Sequence, residues 1–328
     1  MSSLYTDNSL TDLPTTTTSS VPPISFFSPN ELCLITTALV LISVIGTFQN
    51  LMVVVAVVLS RNRLLEIPSS WFVLSLAAAD LFVCGVSVPT YIIHLYIYFW
   101  EPFLAFGQFT TLISAGSLVL LTFNRFLSIY DTLGYIKRMT VLRAQLLATG
   151  MWLLAITLTM ITTLGKIYDT DNLVFVSIAY YVIINILTGG FHSYMFRESW
   201  VKTKAIRGQR LVVLSGQQKN AIQEYNHLFR LVIIVGTYVI TWVPFAATLA
   251  VTPENEERRS RSFQRQFALF YTLLSMNSAI DPFLYFLRSH EFKMFTQKVN
   301  RVLLRTQRRV RPQTESFHIY GTGKTGHT

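Results

Sequence analysis

Seven long apolar runs follow one another along the chain, and shorter segments between them carry most of the charged residues. An α-helix needs about 20 residues to cross the roughly 30 Å hydrocarbon core of a bilayer, and each run reaches that length. Strands of a membrane β-barrel would be about half as long and would alternate in polarity. The pattern therefore predicts an all-α fold, a seven-transmembrane helix bundle whose spans cover roughly residues 31–59, 68–97, 103–130, 141–165, 172–196, 228–251 and 264–287.

Three of the predicted spans contain an interior proline, namely Pro89, Pro244 and Pro282. Proline breaks a helix in water, because it removes a backbone donor and its ring crowds the preceding turn. A packed membrane bundle tolerates it as a kink. We therefore expect kinked helices at these three positions.

The composition agrees with a membrane environment. Of the 328 residues, 51% are hydrophobic and only 13% are charged, whereas soluble globular chains carry about 25% charged residues. The two cysteines, Cys33 and Cys84, both lie within apolar runs. We expect them to pack as small hydrophobic residues and to form neither a disulfide framework nor a metal site.

The basic residues divide unequally between the two sides of the predicted membrane. One alternating set of connecting segments, which includes the C-terminal tail, holds 21 of the 27 lysines and arginines. Positive residues stay on the cytoplasmic side, so we expect an extracellular N-terminus and a cytoplasmic C-terminus in the plasma membrane. The formal charge of +10 then faces anionic lipid, and no nucleic-acid partner is needed. A cluster at Arg258–Arg265 goes against this trend.

The chain ends lie outside the predicted bundle. Residues 1–30 are rich in Ser, Thr and Pro, which is typical of a disordered segment, here extracellular. The receptor domain would cover residues 31–287. Over residues 288–305, apolar residues recur at helical spacing among basic ones, which predicts a short amphipathic helix on the inner membrane surface. Residues 306–328 would form a cytoplasmic tail.

Polar residues inside the spans are costly in lipid, so each of them suggests a function. Taken in order, they resemble the motifs of the rhodopsin-like (class A) G-protein-coupled receptors. The resemblance runs from about residue 31 to residue 295. It is carried by the helix-one asparagine (Asn50), the helix-two LxxxD (Leu76 to Asp80), the helix-four tryptophan (Trp152), a CWxP-like Thr241-Trp242-Val243-Pro244 and the D/NPxxY-like Asp281-Pro282-Phe283-Leu284-Tyr285.

The resemblance implies a switch at the cytoplasmic end of the third helix. Arg125 would be held in the inactive state by Glu224 near the base of helix six. Breaking that pair would free Arg125 for the α-subunit of a G protein. The alternative is that both residues are interfacial charges that extend to water.

Further switch residues are implied on helices five, six and seven. Trp242 above the Pro244 kink would sense the ligand, because a proline-freed backbone makes an inexpensive hinge. Tyr194 and Tyr285 match two tyrosines that turn inward when receptors of this family are activated.

The sequence also departs from the family pattern. Asn124 stands where most members carry the acidic residue beside the arginine, and an amide provides no ion pair, so we expect a less secure inactive state. Trp100 replaces the cysteine of the extracellular disulfide, which therefore cannot form. Ile186 replaces the helix-five proline. Melanocortin, lysophospholipid and cannabinoid receptors share these last two absences in part, and residues 133–140 resemble melanocortin and adenosine receptors.

The ligand pocket implied by the resemblance is aromatic and carries few charges, which suits an apolar or weakly polar small molecule or peptide. Gly107 replaces the amine-binding aspartate, and Thr90, Trp100 and Leu104 stand where melanocortin receptors place acids. Ordinary packing between helices explains single aromatic residues equally well. The candidate ligand-binding residues are Tyr91, His94, Phe103, Phe106, Gly107, Trp242 and Phe245.

A sodium site is expected in the middle of the bundle. The resemblance places Asp80 and Asp281 across a small water-filled cavity, with Ser114 and Asn277 beside them. Two close carboxylates cannot both ionise at low cost, so they must share a proton or recruit a cation. Ligands that are all oxygen suit a hard ion such as Na⁺. A protonated, hydrogen-bonded aspartate is the alternative, and no covalent cofactor is expected.

The sequence thus predicts a receptor, and no enzyme, that converts binding of an extracellular ligand into activation of a heterotrimeric G protein. A constitutively active or non-signalling decoy receptor remains open because of Asn124. A seven-span transporter would show an internal repeat, and the two halves carry different motifs. Arrestin and a receptor kinase are further expected partners, because the tail offers four hydroxyl residues that a kinase could phosphorylate: Thr314, Ser316, Thr322 and Thr325. The alternative is that these residues belong to a solvated, disordered tail without such a role.

Overall fold

A computed structural model of the protein describes residues 26–59, 64–97, 100–131, 133–168, 174–208, 241–245, 247–248 and 260–288. Within these residues every regular element is a helix, and helical residues occur within each of the seven predicted spans. Most of the N-terminal segment, Glu224, most of the sixth span, the predicted amphipathic helix beyond residue 288 and the tail lie outside the described residues.

The first span is helix α1 (Pro29–Val58), which begins with a capping box. The Ser28 hydroxyl accepts a hydrogen bond from the Glu31 backbone N–H at 3.3 Å, and the Glu31 carboxylate accepts one from the Ser28 N–H at 2.8 Å. Pro29 occupies the first turn, where its missing donor is not needed. These local signals start the helix two residues before the apolar run begins.

The second span consists of α2 (Pro68–Phe82), a π-helical turn (Val83–Ser87) and α3 (Val88–Tyr96). The turn ends at Ser87, two residues before Pro89, so the expected irregularity near this proline takes the form of a wider turn in a continuous span. The Ser43 hydroxyl of α1 donates a 2.8 Å hydrogen bond to the Cys84 carbonyl in this turn. The first span therefore satisfies part of the disturbed backbone of the second.

The third span is α4 (Trp100–Tyr130), the connecting segment after it contains the short helix α5 (Tyr135–Arg138), and the fourth span is α6 (Val141–Ile167). The fifth span, α7 (Val174–Gly208), continues 12 residues beyond its predicted end at residue 196. The prediction stopped where charged residues begin at Arg197. Arg, Glu and Lys are good helix formers in water, so the helix continues beyond the apolar segment.

Residues 241–245 and 247–248 are helical and belong to the sixth span. The seventh span is α8 (Arg261–Arg288), which contains Pro282 within the helix, as expected for a membrane bundle. It begins three residues before the predicted start, because the Ser260 hydroxyl accepts a hydrogen bond from the Phe263 backbone N–H at 3.2 Å and caps the first turn.

The third span lies at the centre of the described bundle and packs against the second, fourth and fifth spans, while the first packs against the second and seventh. In the described residues four helical segments are long and apolar enough to cross a membrane: the first, second, third and fourth spans. The apolar window of the fourth is only 22% buried, against 61% for the second. Its exposed leucines therefore face lipid, since the hydrocarbon solvates them.

Candidate functional site

A polar cluster lies where the second, third and seventh spans meet in the middle of the bundle. Asp80 is fully buried and Asp281 is nearly so. The Ser114 hydroxyl donates a hydrogen bond to Asp80 Oδ1 at 3.1 Å, and Ser278 and Asp281 adjoin the same carboxyl group. The second oxygen of Asp80, Oδ2, has no hydrogen-bond donor among the described residues. The structure thus brings together the two carboxylates that the sequence singled out.

A cavity of about 40 Å³ adjoins this cluster. This space exceeds the roughly 10–15 Å³ that one water molecule requires. Its polar lining is made of oxygen-bearing side chains, and the Asn277 amide donates a hydrogen bond to the Thr241 hydroxyl at 2.6 Å. Buried oxygen ligands beside an unsatisfied carboxylate oxygen fit a hard cation. The lining includes Thr111, Ser114, Trp242, Ser275, Asn277 and Asp281.

Asn50 connects the first span to this region. Its amide nitrogen donates to the Gly46 carbonyl at 3.0 Å and to the Ser278 carbonyl at 2.9 Å. A larger residue would not fit at position 46, because a Cβ on Gly46 would overlap the buried Cys84 thiol. The family asparagine therefore holds the first span against the seventh, next to the carboxylate pair.

Trp152 connects the fourth span to the second and third. Its indole N–H donates to the Ser75 hydroxyl at 3.0 Å, and Ser75 shares a 2.8 Å hydrogen bond with Ser117. These two hydrogen bonds fix the second, third and fourth spans relative to one another beside the polar cluster.

The outer half of the bundle contains an aromatic cluster made of Tyr91, His94, Phe103, Phe267 and Tyr271, which are all buried except for a few per cent of their surface. The Tyr91 ring centroid lies 4.9 Å from Phe103 and 4.5 Å from Tyr271. His94 stacks on Phe103 at 5.7 Å. The Ser87 and Tyr271 hydroxyls share a 2.9 Å hydrogen bond. The cluster thus joins the second, third and seventh spans.

Phe267 and Tyr271 were not among the residues predicted from the sequence. The signal for them was the i, i+4, i+8 spacing of Phe263, Phe267 and Tyr271, which places the three aromatics on one face of α8. Phe106 was predicted to line the pocket, but the structure does not bring it into the cluster. Its side chain is 48% exposed. Gly107 does contribute: a Cβ there would lie 3.7 Å from the Phe103 ring, so this ring occupies the space beside it.

Trp242 lies between the aromatic cluster and the cavity. It is 4% exposed, contacts Tyr181 at 4.7 Å and Phe245 at 6.1 Å between ring centroids, and lines the cavity. Phe245 in turn contacts Phe267 at 5.4 Å. A continuous path of packed aromatic rings therefore connects the outer cluster to the buried polar site. The Pro244 carbonyl accepts a 2.9 Å hydrogen bond from Thr248.

Near the C-terminal end of the third span, Asn124 is fully buried and accepts a 2.9 Å hydrogen bond from the Tyr135 hydroxyl. The Asn124 Nδ2 and the Arg125 Nε are buried donors that find no acceptor among the described residues. Tyr194 packs its ring on Phe126, with centroids 5.1 Å apart. Glu224 and the side chain of Tyr285 lie outside what the structure describes, so the predicted Arg125–Glu224 pair stays a prediction.

A salt bridge at the start of α8 involves one residue of the unexpected basic cluster. Arg265 forms a 2.9 Å salt bridge with Glu31, which joins the first turn of α1 to the start of α8. Both side chains are partly exposed, at 43% and 42%.

Comparison with known proteins agrees with this arrangement. A family model described as 7 transmembrane receptor (rhodopsin family) matches residues 49–285. The chain is 26% identical over 275 residues to melanocortin receptor 5 of Ovis aries, a match that covers 77% of this chain and 79% of the relative. It is 25% identical over 284 residues to melanocortin receptor 4 of Danio rerio, with 80% and 83% coverage.

Proposed function

Because this chain belongs to the rhodopsin family of seven-transmembrane receptors, which signal through G proteins, we propose that it converts binding of an uncharged extracellular ligand into activation of a heterotrimeric G protein. The chain is a multi-pass membrane receptor related to the melanocortin branch. The observation that carries the proposal is the position of Trp242, which is packed between an outer aromatic cluster and a buried polar cavity.

The ligand we propose is apolar or weakly polar. The aromatic cluster holds no carboxylate, lysine or arginine, so a charged ligand would find no partner there. The Tyr91 hydroxyl is buried without a hydrogen-bond partner among the described residues, which leaves a group for one polar atom of the ligand. Thr90, Trp100 and Leu104 stand where the resemblance expects the acids of melanocortin receptors. We therefore propose a ligand chemistry different from theirs.

The path of rings from Phe267 through Phe245 to Trp242 supports a mechanical link between ligand and cavity. Packed rings cannot overlap, so a ligand that displaces the outer cluster must shift Trp242 or the backbone around Pro244. The hydrogen bond between Asn277 and Thr241 joins the sixth and seventh spans at the same level. Movement of the sixth span would therefore also displace Asp281, which lies one turn further along α8.

We also propose that sodium binds at Asp80 and Asp281. The unsatisfied Asp80 Oδ2, the oxygen-lined cavity and the neighbouring Ser114 support this assignment. A bound Na⁺ would supply the positive charge that two buried carboxylates otherwise lack. Protonation of one aspartate is the competing account.

The cytoplasmic surface supports G-protein docking in the second loop. Leu133 is 93% exposed and Ile136 is 79% exposed, although both lie outside the apolar spans. Exposed apolar side chains that adjoin charged ones mark a protein-binding surface. Lys137 and Arg138 follow directly. With the N-terminus outside and the C-terminus inside, this loop would face the G protein, and the tail would be available to a receptor kinase and to arrestin.

A constitutively active receptor is a second candidate, and a specific observation favours it. The Asn124 Nδ2 and the Arg125 Nε both lack an acceptor among the described residues. A carboxylate at position 124 would provide an acceptor for Arg125. A weakly restrained Arg125 would raise the population of the active state in the absence of ligand.

One experiment tests the proposed G-protein coupling and its site in the second loop. GTPγS loading of a panel of purified G proteins is measured in membranes with wild-type receptor, with Leu133→Asp and without receptor. Loading by the wild type above the receptor-free membranes supports coupling, and Leu133→Asp should abolish it. Thr140→Asp adds the same charge to the same loop at a helix N-cap and should retain coupling. If wild-type loading matches that of receptor-free membranes with every G protein, in the absence of ligand and with a library of neutral aromatic compounds, the chain is a non-signalling receptor.

A further inference from the structure

Two exposed aromatic rings and an exposed arginine lie together near the C-terminal end of the fifth span. The rings of Phe196 and Trp200 stack with their centroids 6.3 Å apart, and the two residues are 44% and 57% exposed. Arg197, which lies between them along the chain, is exposed as well. We propose that Arg197 and Trp200 form a binding site for the anionic headgroup of a membrane phospholipid.

The site lies where α7 leaves the apolar part of its sequence. Val182, Ile183 and Ile186 are each more than half exposed, and apolar residues on the outside of a membrane bundle contact lipid chains. Val182 precedes Trp200 by about five helical turns, so the two share a face of the helix. Arg197 is the first Lys, Arg, Asp or Glu of α7. Tryptophan is enriched at the boundary between hydrocarbon and water, so Trp200 marks the depth of the headgroups.

Arg197 also adjoins the third span. It follows Tyr194 by three residues and precedes Trp200 by three, so about 60° of helix rotation separates it from each of them. The Tyr194 ring centroid lies 6.0 Å from that of Tyr130, the last residue of α4, which is 59% exposed. Arg197 therefore lies between the stacked pair on one side and the end of the third span on the other.

The charge of this surface fits an anion. Within the described part of the chain, no carboxylate lies at salt-bridge distance from Arg197, although Glu198 follows it directly. The next charged residues along the chain are all basic, namely Lys202, Lys204 and Arg207. A guanidinium binds phosphate oxygens through two parallel hydrogen bonds and is less strongly hydrated than an ammonium group. Arg197 is therefore available to a lipid phosphate.

A phospholipid would use every part of this surface, whereas a soluble anion would use only the arginine. The acyl chains would contact Phe196 and the apolar face that precedes it, the phosphate would pair with Arg197, and the Trp200 indole N–H would donate to a headgroup oxygen. In the orientation proposed above, this end of α7 meets the cytoplasmic leaflet, which carries the anionic lipids. The site is independent of the proposed coupling, because lipid binding requires no G protein.

The test is native mass spectrometry of the full-length receptor in detergent, titrated with dioleoyl phosphatidylserine or dioleoyl phosphatidylcholine. The wild type should bind its first phosphatidylserine more tightly than its first phosphatidylcholine. Arg197→Gln should weaken phosphatidylserine binding about fivefold, which is the contribution of one basic residue at an anionic surface. Its effect on phosphatidylcholine should be smaller, because choline offsets the phosphate charge. Trp200→Leu should weaken the binding of both lipids.

Arg261→Gln is the matched control, since it removes an exposed arginine from the N-terminal end of the seventh span and should leave phosphatidylserine binding unchanged. Because Arg197 is exposed, Arg197→Gln should unfold at the wild-type temperature in lipid-free detergent, so a loss of binding is not a loss of fold.

Three results would overturn the proposal. The first is equal binding of the two lipids by the wild type. The second is wild-type phosphatidylserine binding by either Arg197→Gln or Trp200→Leu. The third is displacement of the bound lipid by an equal concentration of glycerophosphoserine, the soluble headgroup, which would mean a site for soluble anions that the acyl chains do not contact.

Discussion

The Arg265 guanidinium lies 2.9 Å from the Glu31 carboxylate, so a salt bridge joins the N-terminal ends of the first and seventh spans. Both partners are more than two-fifths exposed, and exposed pairs contribute little to stability because water and salt screen them. The contact therefore orients the two helix ends more than it holds the bundle together.

Arg265→Gln should lower the thermal midpoint of the purified receptor by no more than about 2 °C, since the pair is exposed. The difference from wild type should vanish in high salt, where surface charges are screened. Arg261→Gln removes a neighbouring exposed arginine and serves as the control. A large, salt-independent decrease for Arg265→Gln would contradict this account.

The outer aromatic cluster should supply the rigidity that a disulfide gives elsewhere in the family. Phe103 is 2% exposed, whereas Phe106, three residues along the same helix, is 48% exposed. Phe103→Ala should lower the free energy of unfolding by about 3–5 kcal/mol, because it leaves a cavity among four other rings. The measurement is thermal unfolding of the purified receptor, with Phe106→Ala as the control. Equal effects of the two substitutions would rule out the cluster as the anchor of the third span.

The sequence predicted the helical elements well, and it predicted that Asp80 and Asp281 would lie close together; both predictions depend on patterns within single helices. Long apolar runs require membrane helices, and a carboxylate inside such a run, as at Asp80 and Asp281, is informative by itself. The prediction of seven spans in an all-α bundle is confirmed by the fold together with the family match. The extra length of α7 was missed, since apolar periodicity says nothing about a helix that continues into water.

Contacts between elements were harder to predict. The hydrogen bond between Tyr135 and Asn124 depends on the conformation of a loop in which Asp131 and Arg138 form a salt bridge. No periodicity in the sequence encodes this arrangement. Phe106 was expected in the pocket because its position along the third helix is suitable, and helix rotation places it only about 60° from Phe103, yet its side chain is 48% exposed whereas that of Phe103 is buried. Which face of a helix is buried is decided by its neighbours.

Glu224 should restrain Arg125 from the base of the sixth helix. Glu224→Ala is expected to raise ligand-independent GTPγS loading about fivefold, since an interfacial ion pair contributes up to ~1 kcal/mol. Glu198→Ala removes an acid from the cytoplasmic part of the fifth span and is the charge-matched control. Unchanged basal loading at equal surface expression would leave Arg125 and Glu224 as independent interfacial charges.

The cytoplasmic tail should control internalisation without contributing to coupling. Truncation after Arg305 removes every candidate phosphorylation site in the tail, and it should slow ligand-independent or ligand-driven internalisation while GTPγS loading stays intact. Alanine replacement of the four hydroxyl residues in a full-length tail should have the same effect. Internalisation at the wild-type rate in both variants would remove the tail from the regulation of this receptor. The four positions are Thr314, Ser316, Thr322 and Thr325.

Sodium should stabilise the resting receptor through Asp80 and Asp281. An ion that binds only the folded resting state raises its stability by mass action, so the thermal midpoint should be higher in sodium chloride than in N-methylglucamine chloride at matched ionic strength. Sodium should also lower ligand-free GTPγS loading, because it favours the state in which the cavity is open. Asp80→Asn should remove both differences, since the amide cannot supply the charge that holds the cation. Equal midpoints and equal loading in the two salts for the wild type would instead mean that one aspartate is neutralised by a proton, which needs no cation.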